Sequence, residues 1–134
     1  MTSKVTYLGD LRTSSEHIQS GNTIITDAPT DNHGKGEAFS PTDSVANALA
    51  TCMLTVMAIK ARTMDIDFSG STASVTKHMQ PEPRKISKIE VIFDMSIAVD
   101  DKSKAILERT ARTCPVGLSL HPDIEQVVTF NWKS

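Results

Sequence analysis

The chain predicts an α+β fold, an antiparallel sheet wrapped around one long, buried central helix. Two observations carry most of this. The run from Val45 to Ala61 is almost wholly apolar, and its apolar residues cover most of a helix's circumference. From Ile89 to Val99, Ile89, Val91, Phe93, Met95, Ile97 and Val99 alternate as one face of a strand does. A third observation is the order of elements: strands, a helix, strands, a helix and a strand. With 134 residues, 39% of them hydrophobic, the chain is expected to form one domain, 1–134, able to bury a core.

The elements follow in order. Lys4–Leu8, Glu16–Gln19 and Asn22–Thr26 read as short strands, punctuated by Gly-Asp and Ser-Gly-Asn turn signals. Asp27 to Phe39 reads as a long loop, and loops of that length in compact domains are often functional. Ser40-Pro41-Thr42-Asp43 is a helix start: Ser40 caps, Pro41 suits the first turn, and Asp43 complements the dipole. The helix should run to Arg62 or Thr63. Because it is apolar all round and the chain is small, a second copy of the chain is expected to cover one side. Ser71–Met79 and Ile86–Val99 are predicted strands, separated by a proline-rich turn. Asp100 or Asp101 caps a second helix, Lys102 to Arg112, which Pro115 keeps from continuing. Gln126–Trp132 is the final predicted strand.

Composition excludes several functions. The formal net charge is −2, Lys and Arg are scattered, and there is one Trp and one Tyr, so nucleic acid is not an expected partner. No uninterrupted apolar run reaches the roughly 20 residues of a membrane span. The first residues, MTSKVTYLGD, lack the apolar segment of a signal peptide. A cytoplasmic protein without membrane contact is expected. The four histidines show no HxxxH spacing and the two cysteines no CxxC, so a zinc site is not expected, and thiol redox chemistry needs no metal, haem or flavin cofactor.

The chemistry rests on the cysteines. In a reducing compartment they are more often free, catalytic or redox-sensing than a permanent crosslink. Cys52 lies within the apolar helix and Cys114 opens a Cys-Pro step at a helix end. One thiolate can attack a peroxide, and the other can condense with the resulting sulfenic acid. By position alone, an inert core thiol is the more ordinary reading of Cys52. Burial raises a thiol pKa, so a reactive thiol there needs a cation. Arg12, in the turn Gly9-Asp10-Leu11-Arg12, is the candidate, with Glu37 or Asp43 as the carboxylate that steers it; a solvated arginine and a plain capping acid fit as well. Cys114, at a helix end, is expected to be the more accessible thiol and so to suit the resolving role; a buried packing cysteine fits the position as well. His121 is a candidate for proton transfer, or a solvated loop histidine. His33-Gly34-Lys35-Gly36-Glu37 lacks the P-loop pattern, so its glycines are expected to let the loop turn.

At these residues the chain resembles the OsmC/Ohr family of osmotically inducible and organic hydroperoxide resistance proteins. The resemblance lies in Gly36-Glu37-Ala38-Phe39-Ser40-Pro41-Thr42-Asp43 leading into Ala48-Leu49-Ala50-Thr51-Cys52-Met53, then Cys114-Pro115-Val116. It implies an intertwined homodimer with two active sites at the subunit interface. It also implies a thiol peroxidase acting on organic hydroperoxides, with Cys52 as peroxidatic thiolate, Cys114 as resolving thiol and Arg12 as activating cation. An external dithiol would reduce the disulfide. In the Ohr branch a glutamate directly follows the helix-start proline and holds the arginine. Here Thr42 stands in that place with Asp43 next, which favours an OsmC-like branch and leaves Asp43 or Glu37 to hold Arg12. Two other functions fit the same residues: a non-catalytic binding or sensing domain for an apolar ligand, and a Cys52-dependent acyl hydrolase, which would need a histidine such as His17 or His121 at the thiol.

Overall fold

The computed structural model describes residues 1–134. Two compact units emerge, Met1–Val45 and Ala46–Ser134.

The first unit is a three-stranded antiparallel meander: β1 (Ser3–Gly9), β2 (Arg12–His17) and β3 (Thr23–Asp27), with β2 central. Asp10 and Leu11 join β1 to β2, and both have left-handed backbone (φ 53° and 64°). Two successive left-handed residues match the twist of paired strands, so the hairpin is tight. Consequently Arg12 opens a strand instead of sitting in a turn, and β2 lies earlier than the predicted Glu16–Gln19. Its polar sequence, Arg-Thr-Ser-Ser-Glu-His, offers no alternation to read. Val5, Tyr7, Leu8 and Ile24 of this sheet are all more than half exposed.

After β3 the chain makes a single 3₁₀ turn (Thr30–Asn32) and folds back. Asp27 N–H donates to the Phe39 carbonyl (3.0 Å) and Gly36 N–H to that of Ala28 (3.2 Å). The fold-back requires glycine at 34, where a Cβ would lie 1.7 Å from the Ala28 carbonyl oxygen. The glycines of this loop serve its turn, as expected.

Helix α1 (Pro41–Arg62) starts where the sequence places it. Ser40 Oγ accepts from Asp43 N–H and Asp43 Oδ2 accepts from Ser40 N–H, both at 3.0 Å, a reciprocal capping box. Its buried residues form a stripe: Ala46, Leu49, Ala50, Met53, Met57 and Ala61. Burial all round does not occur within the chain, because the sheet of the second unit has one face to offer α1. Thr51, Thr55 and Ile59 are exposed. By length and composition α1 could also cross a membrane, yet Leu49, Met53 and Met57 sit at the heart of the core.

The second unit holds a sheet of β4 (Thr72–Pro81), β5 (Arg84–Asp94) and β6 (Glu125–Asn131), with β5 central. Ile89, Val91 and Phe93 point into the core as predicted. The sheet is not purely antiparallel. β4 pairs antiparallel with β5, but β6 runs parallel to it, because two helices cross over between β5 and β6. The strand expected to reach Val99 ends at Asp94, where Ser71 Oγ takes the Ser96 N–H (2.8 Å) in place of a ladder partner.

Helix α2 (Asp101–Arg112) is capped by Asp100, whose Oδ1 accepts from Ser103 N–H (3.1 Å). A short helix α3 (Pro115–Ser119), absent from the sequence reading, follows at once. Pro115 ends α2 as expected, but it also begins α3, since proline's fixed φ suits a first helical position.

Candidate active site

Two groups of functional side chains form, one in each unit. In the first, Arg12 and Asp27 face each other across β2 and β3. Arg12 Nη2 donates to Asp27 Oδ2 (3.1 Å) and to Glu37 Oε2 (2.9 Å). Asp27 Oδ2 also accepts the Glu37 backbone N–H (3.0 Å). The three residues thus close a ring of contacts. The hydrogen bond to Glu37, then that to Asp27, raises the Arg12 pKa further, so its charge is permanent. The Glu37 N–H, with the Arg12 guanidinium, holds the Asp27 carboxyl below the usual aspartate range against the opposing effect of burial. The carboxylate steering Arg12 is therefore Glu37, joined by an acid the sequence did not single out. Asp27 is 1% exposed. Asp43 takes its place in the capping box of α1.

In the second unit the two thiols meet, although 52 and 114 are far apart in sequence. Both are free, Cys52 half-buried and Cys114 fully buried. The expectation that Cys114 is the more accessible is thus reversed. Cys114 is the N-cap of α3: its sulfur accepts the Gly117 N–H (3.3 Å), which folds the helix over it. Gln126 Nε2 secures the turn by donating to the Gly117 carbonyl (3.0 Å). Burial pushes the Cys114 thiol pKa up. The Gly117 N–H opposes that, while a hydrogen bond with Cys52 and the charge Cys52 can carry reinforce it. Cys114 therefore rests as a neutral thiol, near enough to Cys52 for the two to interact.

Neither candidate histidine shows a tie to a thiol. His17 Nδ1 is hydrogen-bonded with Ser20 Oγ (2.6 Å), and the exposed His121 accepts the Asp123 N–H on Nδ1 (3.0 Å). No group of three or more His, Cys, Asp or Glu gathers as a metal site would require. A cavity of about 620 Å³ lies between α1 and the Ile66–Ser71 turn, lined by Leu54, Ala58, Arg62 and Phe68 among others. It is separate from the thiol pair, since neither cysteine lines it.

Residues 34–128 match the family model described as OsmC-like protein. The chain belongs to the OsmC-like family. Solved structures agree. A candidate osmotic stress induced and detoxification response protein from Psychrobacter arcticus is 58% identical, with a TM-score of 0.94, covering 97% of this chain and 95% of that one. Two more distant structures share the OsmC fold. An OsmC-like protein from Mycoplasma pneumoniae is 15% identical (TM-score 0.81, covering 98% and 96%). An organic hydroperoxide resistance protein OsmC from Legionella pneumophila is 16% identical (TM-score 0.71, covering 98% and 97%). No curated protein matches the chain.

Proposed function

We propose that this OsmC-like protein is a two-cysteine thiol peroxidase that reduces organic hydroperoxides to alcohols in oxidative-stress defence. The observation that carries the reading is the nearness of a half-buried thiol, Cys52, to a fully buried one, Cys114, close enough for the two to interact. Such a pair divides the labour: the outer thiol meets substrate, and the inner one is kept from it.

In the first step the Cys52 thiolate attacks the terminal oxygen of ROOH. The S–O bond forms as the O–O bond breaks, and the leaving alkoxide is protonated by solvent to the alcohol. Arg12 is assigned the cationic role, stabilising charge on the thiolate and on the departing oxygen. Cys114 then gives up its proton and attacks the Cys52 sulfenic acid. The S–S bond forms, the S–O bond breaks, and hydroxide leaves as water with that proton. An external dithiol restores both thiols by exchange and is itself oxidised to a disulfide. Because the resting Cys114 is buried and protonated, it reacts with the sulfenic acid beside it and not with peroxide in solution.

We assign a second copy of the chain as partner in a homodimer. The exposed apolar side chains of β1 and β3 and the exposed Ile59 of α1 support it, since such surface calls for cover. The apolar helix favours alkyl or fatty-acid hydroperoxides over small polar ones, and a reducing cytoplasm supplies the dithiol.

The test is consumption of an alkyl hydroperoxide with dithiothreitol as reductant, comparing wild type, Cys52→Ser and Cys114→Ser. Turnover should vanish in Cys52→Ser, and Cys114→Ser should halt at the sulfenic acid without an internal disulfide. An inactive wild type whose thiols both survive peroxide would refute the reading.

A further inference from the structure

A guanidinium held by two carboxylates has little positive field left to offer a thiolate or an oxygen, because the group Arg12, Asp27 and Glu37 carries a net negative charge. Both contacts use Nη2, so the guanidinium can meet a third partner without losing either acid. Its charge is felt more fully when one acid withdraws, and the structure distinguishes the two. The Asp27 side chain is wholly buried, whereas that of Glu37 is 62% exposed and that of Arg12 34%. Releasing the arginine from Asp27 would strand a buried carboxylate without its counter-charge, which is strongly destabilising. Releasing it from Glu37 returns an exposed carboxylate to water, at little cost.

Asp27 is tied down in other ways too. Its backbone N–H is bonded to the Phe39 carbonyl, it lies opposite Arg12 in the strand register, and its Oδ2 accepts both Arg12 Nη2 and the Glu37 N–H. One oxygen therefore fixes the guanidinium and the backbone that carries its second partner.

We propose that Asp27 is the positioning residue for Arg12, and that Glu37 is the exchangeable partner that yields its place on the guanidinium to the reacting anion. This rests on the peroxidase reading for its chemistry, but the hold of Asp27 on Arg12 can be measured without it. Asp27→Asn is nearly isosteric: its side-chain oxygen still accepts the Glu37 N–H, while the charge that orients Arg12 is gone.

The experiment compares wild type, Asp27→Asn and Glu37→Gln by two readouts. One is the nitrogen-15 side-chain signal of Arg12, which is resolved when the guanidinium is held in one place. The other is the rate at which Cys52 is oxidised by an alkyl hydroperoxide. Asp27→Asn should lose the Arg12 signal and slow Cys52 oxidation by about tenfold or more, the scale expected for a misplaced catalytic group. Glu37→Gln should keep the signal and speed oxidation, because a competing charge is removed. A retained Arg12 signal in Asp27→Asn overturns the proposal. So does a lost signal in Glu37→Gln, an arm that does not depend on the buried variant folding. If wild-type Cys52 reacts no faster than free cysteine but the Arg12 signals behave as stated, the anchor stands and the peroxidase reading falls.

Discussion

The sulfur of Cys114 accepts the backbone N–H of Gly117 at 3.3 Å, so the inner thiol is also the cap of the helix that buries it. The thiol and the local fold share one atom here. Any change that moves the turn moves the sulfur.

Gly117→Ala tests that coupling. A Cβ at this position would lie 3.2 Å from Gln126 Oε1, 3.3 Å from Cys114 Sγ and 3.4 Å from Leu49 Cδ1. The neighbours must give by a few tenths of an ångström. With the Cys114 sulfur and Leu49 both buried, a net loss is expected, partly offset by alanine's better fit to a helix. Urea denaturation should register that loss. Stopped-flow oxidation should show disulfide formation slowed more than sulfenic acid formation.

Ser40→Ala removes one half of the capping box at the start of α1. The Asp43 N–H loses its acceptor, and stability should fall by about 1 kcal/mol. Denaturant midpoints of wild type and variant measure it. The other half of the box, Asp43 Oδ2 accepting from the backbone N–H of residue 40, does not replace the acceptor that the Asp43 N–H has lost.

Asp27 makes stability depend on acid. Its pKa is lower in the folded state, chiefly through the Glu37 N–H, than in the unfolded chain. The unfolded state therefore binds the proton more readily. The contribution is fully present above the ordinary aspartate value of about 3.9 and is lost as pH falls through the depressed folded value. Denaturation midpoints measured from neutral pH down should fall less steeply at the acid end in Asp27→Asn than in wild type.

Leu11 occupies left-handed backbone at φ 64°, beside Arg12. A non-glycine residue held there costs on the order of 1 kcal/mol. Leu11→Gly should relieve it and raise stability by about 0.5 kcal/mol once the greater freedom of unfolded glycine is counted. Paired urea titrations decide the sign.

Much of the architecture was legible because it rests on local chemistry. Ser40 and Asp43 announce the start of α1 by residue type and spacing, and the alternation from Ile89 to Phe93 marks a buried strand face. What stayed hidden depends on distant partners. Asp27 is one acid in a loop-like stretch, and its meaning comes from Arg12, opposite it on another strand. Helix α3 was missed because its cap is a thiol and not one of the usual Ser, Thr, Asp or Asn caps. Parallel pairing of β6 leaves no mark in its own residues. The thiols could be picked out, but their relative exposure was misjudged, because Cys114 is covered by residues that follow it in the chain.

The meeting of Cys52 and Cys114 also has a topological consequence. A bond between them would close a loop on the order of 60 residues, enclosing β4, β5 and α2. Chain-entropy reasoning assigns such a crosslink about 4 kcal/mol, mainly by restricting the unfolded chain. The oxidised protein should then outlast the reduced one under heat or denaturant, so forming this bond would also harden the fold until the bond is reduced again.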